Sequence, residues 1–143
     1  VTSWLRTLRH EIAQATANES DGLIDYALPP AVYASAETGI YGLVLPESPD
    51  RAIALSMNVV DEQIETTVAV QFRMRAENDD ELDFIEDALS QSWTSRQAGT
   101  LGSIVLIMSR WASGASLGQD SSNRITRSVN YVLTVERSLR HRN

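Results

Sequence analysis

The run Gly114-Ala-Ser116-Leu-Gly118 has the residue pattern of a nucleophile elbow, and Asp120 and His141 follow it in the order serine, acid, histidine. Elbow chemistry needs a helix directly after the serine, to expose its Oγ and to donate backbone N–H groups to an oxyanion. Here Gln119-Asp-Ser-Ser-Asn-Arg124 follows, which is turn chemistry leading into a strand. Asp120 stands only four residues beyond Ser116, and His141 falls in the terminal tail. The pattern therefore favours a Gly/Ser-rich loop over 112–123, with a small soluble hydrolase using Ser116 as the alternative of another class. The acids Asp79, Asp80, Glu81, Asp83, Glu86 and Asp87 could suggest a divalent metal. They fall around a helix and its start, without the loop glycine or alternate-position spacing of a calcium loop. His10 and His141 lie at opposite ends of the chain, without partners at ligand spacing. No phosphate-binding glycine motif follows a strand. The expectation is a protein without catalytic residues, metal or cofactor, and not an enzyme.

The cations are more informative. All 12 basic residues are Arg, against 19 carboxylates, for a net charge of −7, and there is no Cys. A lysine-free composition fits a GC-rich genome or adaptation to salt, and so modest a net charge favours the former. The distribution matters more than the total: residues 1–87 hold 17 acids and 5 Arg, whereas 88–143 hold 7 Arg and 2 acids. An acidic chain is not expected to bind nucleic acid over its whole surface, because phosphate contacts need a cationic face. Arg124, Arg127, Arg137, Arg140 and Arg142, with Tyr131 among them, could still meet nucleic acid locally. Equally, they could form a solvated strand edge, or contact acidic surfaces of partner proteins through the planar guanidinium fork.

The elements that must position these residues follow from periodicity. Trp4, Leu8, Ile12 and Ala15 recur at helical spacing over 3–17, with Thr2 or Ser3 as cap and a turn at 18–22. Short strands are expected near 23–27 and 40–45. Residues 52–60 and 64–75 read as two strands joined by a hairpin at 61–63. In the second strand Val68, Val70, Phe72 and Met74 alternate with Ala69, Gln71, Arg73 and Arg75, which places the polar members away from the core. Asn78 and Glu81 open a second helix, in a box-like reciprocal arrangement, whose buried stripe is Leu82, Ile85, Leu89 and Trp93. A strand over 102–111 and a last strand over 125–137 complete the order, the latter turning Val129, Tyr131, Leu133 and Val135 to one side. Trp4, Trp93 and Trp111 lie on or beside apolar stripes, where core or interface packing is their default role.

Helices separated by runs of strands imply an α+β fold, a single mixed or antiparallel β-sheet with two helices on one face. The length of 143 residues suits one domain over 1–143, with 137–143 a basic tail ordered on assembly. No apolar run is long enough for a membrane helix, and no secretory core stands at the start. A soluble, non-secreted domain is expected.

Several pieces together resemble the tail terminator proteins of long-tailed (siphovirus-type) bacteriophages. They are Pro46-Glu-Ser-Pro-Asp-Arg51 before Ala-Ile-Ala-Leu55, the strand Val70-Gln-Phe-Arg-Met-Arg75, and the acid-led helix to Trp93. Leu117-Gly-Gln-Asp120, Arg124, Ser128-Val-Asn-Tyr131 and the close on Glu136-Arg137 extend the likeness to about Arg142. The N-terminal helix fits by position rather than by motif, and neighbouring neck and minor capsid proteins share parts of the pattern. The resemblance implies a ring-forming virion protein, usually hexameric, at the tail-neck junction after assembly in the host cytoplasm. It would cap the tail tube, stop its polymerisation and present the head-docking surface. Its implied partners are further copies of itself, the tail tube protein and a neck or head-completion protein. Genomic DNA would pass through the lumen without sequence-specific binding, past a wall without dense Arg; no membrane is involved. The alternative is a neck, head-closure or minor capsid protein. Gln71, Arg73 and Arg75 are interface candidates by geometry. Leu117, Gln119, Asp120, Arg124 and Arg127, with Arg137, Arg140 and Arg142 of the tail, are candidates as segments ordered by a partner.

Overall fold

The computed structural model describes residues 3–20, 22–26, 38–42, 45–47, 50–61, 65–94 and 97–136. Among these residues two helices and six strands follow in the order α1 (Trp4–Glu19), β1 (Gly39–Gly42), β2 (Ala52–Asp61), β3 (Glu65–Ala76), α2 (Asp79–Trp93), β4 (Gln97–Leu101), β5 (Ile104–Gln119) and β6 (Ile125–Glu136). The strands form one sheet in the order β1-β2-β3-β6-β5-β4. Only the β1–β2 pair is parallel; the others are antiparallel, so the sheet is mixed as expected.

Period two fixes which side of the sheet is greasy. Val68, Val70, Phe72 and Met74 are all buried, opposite Leu133, Tyr131, Val129 and Arg127 of β6 in register. Ile53 and Leu55 of β2 join the same face. Phe72 and Tyr131, diagonal neighbours across β3 and β6, meet edge to face with centroids 6.1 Å apart, an arrangement aromatic quadrupoles favour. Both helices cover this face. From α1, Trp4, Leu8 and Ile12 are buried, and Ala15 packs at the margin. From α2, Leu82, Ile85, Leu89 and Trp93 are buried. The two helices are also bonded to each other, because the Trp93 indole Nε1 donates to Thr16 Oγ1 at 2.9 Å in the core. Ser109 of β5 donates to the Trp93 carbonyl at 2.7 Å and fixes the end of α2 to the sheet.

Helix starts obey local chemistry. Ser3 Oγ accepts from the Arg6 N–H, and Asn78 Oδ1 accepts from the Glu81 N–H, each satisfying one orphan donor. The reciprocal bond from Glu81 is shifted by one residue relative to the expected box, since Glu81 Oε1 accepts from the Glu77 N–H. Near 23–27 the expected strand reduces to one bridge from Asp25 to Gly39 among the described residues.

Two further expectations are corrected. Strand β4 at Gln97–Leu101 was not foreseen; it closes a tight hairpin with β5 through Gly102, whose φ of +61° belongs to the left-handed region. The 112–123 stretch is not a loop. β5 continues to Gln119, paired with β6 from Val105↔Glu136 to Gln119↔Ile125, and only the turn at 120–124 remains. The glycines that suggested a loop are accommodated by register shifts at Leu106/Met108, Trp111/Ser113 and Ser116/Gly118. Gly118 takes φ +86° at the last of these, as a bulge requires.

Candidate functional site

The long β5–β6 arm is the feature that distinguishes this sheet from a closed packing unit. From Arg110 to Gln119 every residue of β5 is exposed. Beyond Met108 its outer edge has no paired strand among the described residues. Trp111 is 51% exposed and Leu117 50% exposed on this segment. From Trp111 to Gln119 it carries no charged side chain, although charge is the usual protection of an edge against pairing with another chain. Its bulges supply twist instead.

Behind the sheet lies a second, polar face. β3 and β6 present matched polar pairs there, Gln71 opposite Asn130 and Arg73 opposite Ser128. Asn130 Nδ2 donates to Ser113 Oγ of β5 at 3.0 Å, extending the polar row across three strands. Met108 and Arg110 point to this side as well, because they pair with Thr134 and Val132.

Three Arg residues organise one end of the arm. Arg75 is 4% exposed, and its Nε donates to the Asp50 carbonyl at 3.0 Å. Burial, reinforced by neighbouring Arg124, lowers its guanidinium below the usual value, while Asp120, Asp50 and Glu47 oppose that shift. Arg124 donates from Nε to Asp120 Oδ2 at 2.8 Å, bonds the Glu47 carbonyl and reaches Asp50 Oδ1 at 3.5 Å. Asp120 caps the turn, accepting the Ser122 and Arg124 N–H groups on Oδ1 at 2.9 Å each. Partial burial pushes its carboxyl up, but these two donors and the Arg124 guanidinium outweigh that and hold it below the usual carboxylate range. Arg127 reaches over the end of the core face to α2. Its Nη1 lies 2.9 Å from both Asp83 Oδ1 and Glu86 Oε1, and Nη2 lies 3.6 Å from Asp79. The Asp83 hydrogen bond, with that of Glu86, raises its pKa against the opposing effect of burial.

The candidates named from sequence therefore occupy distinct places. Gln71 and Arg73 lie on the polar face, and Leu117 and Gln119 on the exposed arm. Arg75, Asp120 and Arg124 form one intramolecular network, and Arg127 ties β6 to α2. Arg137, Arg140 and Arg142 lie outside the described residues. Ser116 is a strand residue opposite Arg127. Among the described residues no helix follows it, and Asp120 is engaged by Arg124; His141 lies outside the described residues. The acids of the α2 start meet Arg127 and Arg51 instead of one another. Among the described residues no group of three or more His, Asp or Glu side chains is arranged to hold a metal. Of the two roles that the sequence left open for Trp111, core or interface packing, its exposure excludes the core. The signal of that exposure was its position beside an uncharged run, which the glycines disguised as a loop.

The fold is shared with a chain of the virion of a native gene transfer agent particle. The likeness covers 94% of this chain and 100% of that one, with a TM-score of 0.60 at 12% sequence identity. No family model and no curated protein matches the chain.

Proposed function

We propose that this protein is a structural component of a phage-like virion, a tail terminator that assembles as a ring on the end of the tail tube. The observation that carries the reading is the whole-chain likeness to a subunit of a gene transfer agent virion. The exposed β5 arm supports it, because an uncharged strand edge that is open in one copy gains its missing hydrogen bonds from another chain. A ring needs two different patches on each subunit. The arm with Trp111 and Leu117 supplies one, and the β1 side of the sheet lies at its opposite edge.

In this mechanism no bond is made or broken. One face of the ring matches the end of the tail tube, the other cannot accept a further tube ring, and polymerisation stops. Gln71, Arg73, Leu117 and Gln119 would contact neighbours directly. Arg75, Asp120, Arg124 and Arg127 would shape the contact surface through the bonds they already make, and Arg137, Arg140 and Arg142 would join from the tail. A neck or head-closure ring is the second reading, favoured by the same virion likeness. Deleting the gene from the particle separates them. Overlong tail tubes are expected for a terminator, whereas tails of normal length detached from heads would overturn it in favour of a neck role.

A further inference from the structure

α1 carries its charge asymmetrically. A cavity of about 160 Å³ opens where the first half of α1 meets the β1 edge, lined by Arg6, Arg9, His10, Tyr26, Tyr41 and Leu55 among others. The Nε of Arg9, a residue of this wall, is buried without a hydrogen-bond partner. Neither Arg6 nor Arg9 forms a side-chain ion pair among the described residues, although the first 87 residues hold 17 acids. His10 is fixed by the contact of Nδ1 with the Tyr26 hydroxyl at 3.1 Å. The other side of α1 faces the opposite edge of the sheet. There Glu11 lies against Gly102 in the β4–β5 turn, its carboxylate where any Cβ would stand.

A buried guanidinium nitrogen without an acceptor costs free energy that native structures rarely leave uncompensated. Two Arg forks beside an apolar wall are built for a carboxylate, held in bidentate fashion where low polarity strengthens the pair. The cavity is small, matching the end of an acidic side chain. With 19 carboxylates against 12 Arg, every further copy of the chain offers that group. We infer that the Arg6–Arg9–His10 pocket receives a side-chain carboxylate of a second copy of this chain and so locks neighbouring subunits. The pocket stands at the β1 edge, the patch that the ring reading sets against the next subunit. The inference rests on the ring reading and adds the group that fixes its register.

The test is sedimentation velocity on wild type, Arg9→Met and Arg6→Met/Arg9→Met across a concentration series. Sodium glutarate is compared with sodium chloride at matched ionic strength. Association is expected to weaken at least tenfold in the variants, while their monomers melt no lower than wild type because the lost charge had no internal partner. Arg9→Lys is expected to retain part of the association, and glutarate to dissociate wild type more than chloride does. If Arg9→Met assembles like wild type, the pocket has no such role, and the ring reading stands without it. A wild type that stays monomeric throughout overturns both. If glutarate raises the melting temperature of wild type but not of Arg9→Met and leaves assembly untouched, the ligand is a free carboxylate and the second-copy assignment fails.

Discussion

Arg127→Met removes the guanidinium that joins β6 to α2 and keeps most of the stem. Two of its contacts are direct, at 2.9 Å to Asp83 and Glu86, and the third is longer, at 3.6 Å to Asp79. Exposed ion pairs contribute about 0.2–1 kcal/mol each. Asp79 is 74% exposed at the longer distance and contributes almost nothing. Asp83 is 63% exposed and Glu86 38%, while Arg127 itself is only 23% exposed. That partial burial gives the two direct pairs about 0.5–0.75 kcal/mol each, for a loss of about 1–1.5 kcal/mol. The substitution also leaves the i,i+3 and i,i+4 acids of α2 to repel one another. For a chain of this size the loss lowers the melting temperature by about 3–6 °C. Urea unfolding followed by circular dichroism, with Glu86→Gln closing a double-mutant cycle, measures it directly. The coupling is expected to be about 0.5 kcal/mol or more in low salt. It should shrink in 1 M NaCl, where the Debye length falls to about 3 Å. A coupling indistinguishable from zero in low salt would refute the internal clamp. Unchanged stability with lost assembly would place Arg127 at an interface instead.

Three further outcomes follow from particular contacts. The Tyr131 hydroxyl is buried beside Thr94 without a hydrogen bond, so Tyr131→Phe should be neutral or stabilising by up to about 1 kcal/mol in urea unfolding; a loss of that size would show that Thr94 accepts a bond. The Asp120 carboxyl is held below the usual 3.8, so its stabilising effect is present above that value and is lost as pH falls through the lower, folded one. The melting-temperature gap between wild type and Asp120→Asn should therefore be full at about pH 6 and close below about pH 4; a gap unchanged down to about pH 2 contradicts the assignment. Trp111 is 51% exposed, so Trp111→Asp should change monomer stability by less than about 0.5 kcal/mol while abolishing assembly scored by negative-stain electron microscopy; intact rings would remove the arm from the interface.

Elements with strong periodicity were legible in the sequence. The stripe Leu82, Ile85, Leu89, Trp93 and the alternation from Val68 to Met74 each admit one buried face, and both are buried as their spacing requires. The β5 arm was not legible, because Gly114, Gly118 and the serines around them lower intrinsic strand propensity. Pairing with β6 overrides that preference, and the bulges accommodate the glycines. β4 was missed because Gln97-Ala-Gly-Thr-Leu101 has no alternation to read; the hairpin with β5 makes it a strand.

The sequence by itself determined the α+β class, the two capped helices, the inner face of β3 and β6 and the uneven placement of charge. These follow from local sterics, capping and period, which act within a few residues. Only the tertiary structure decided what each Arg does. Arg75 meets Asp50, Arg124 meets Glu47 and Asp50, Arg127 meets α2, and Arg6 and Arg9 are gathered at a cavity beside the β1 edge. Arg124 and Glu47 are brought together across 77 positions of sequence, and no spacing rule encodes such a meeting. The acidic and basic halves suggested contact between copies, and folding neutralised part of that charge within the chain. The surfaces that folding leaves open, and that the proposed contacts would use, are the uncharged β5 edge and the cavity beside Arg6 and Arg9.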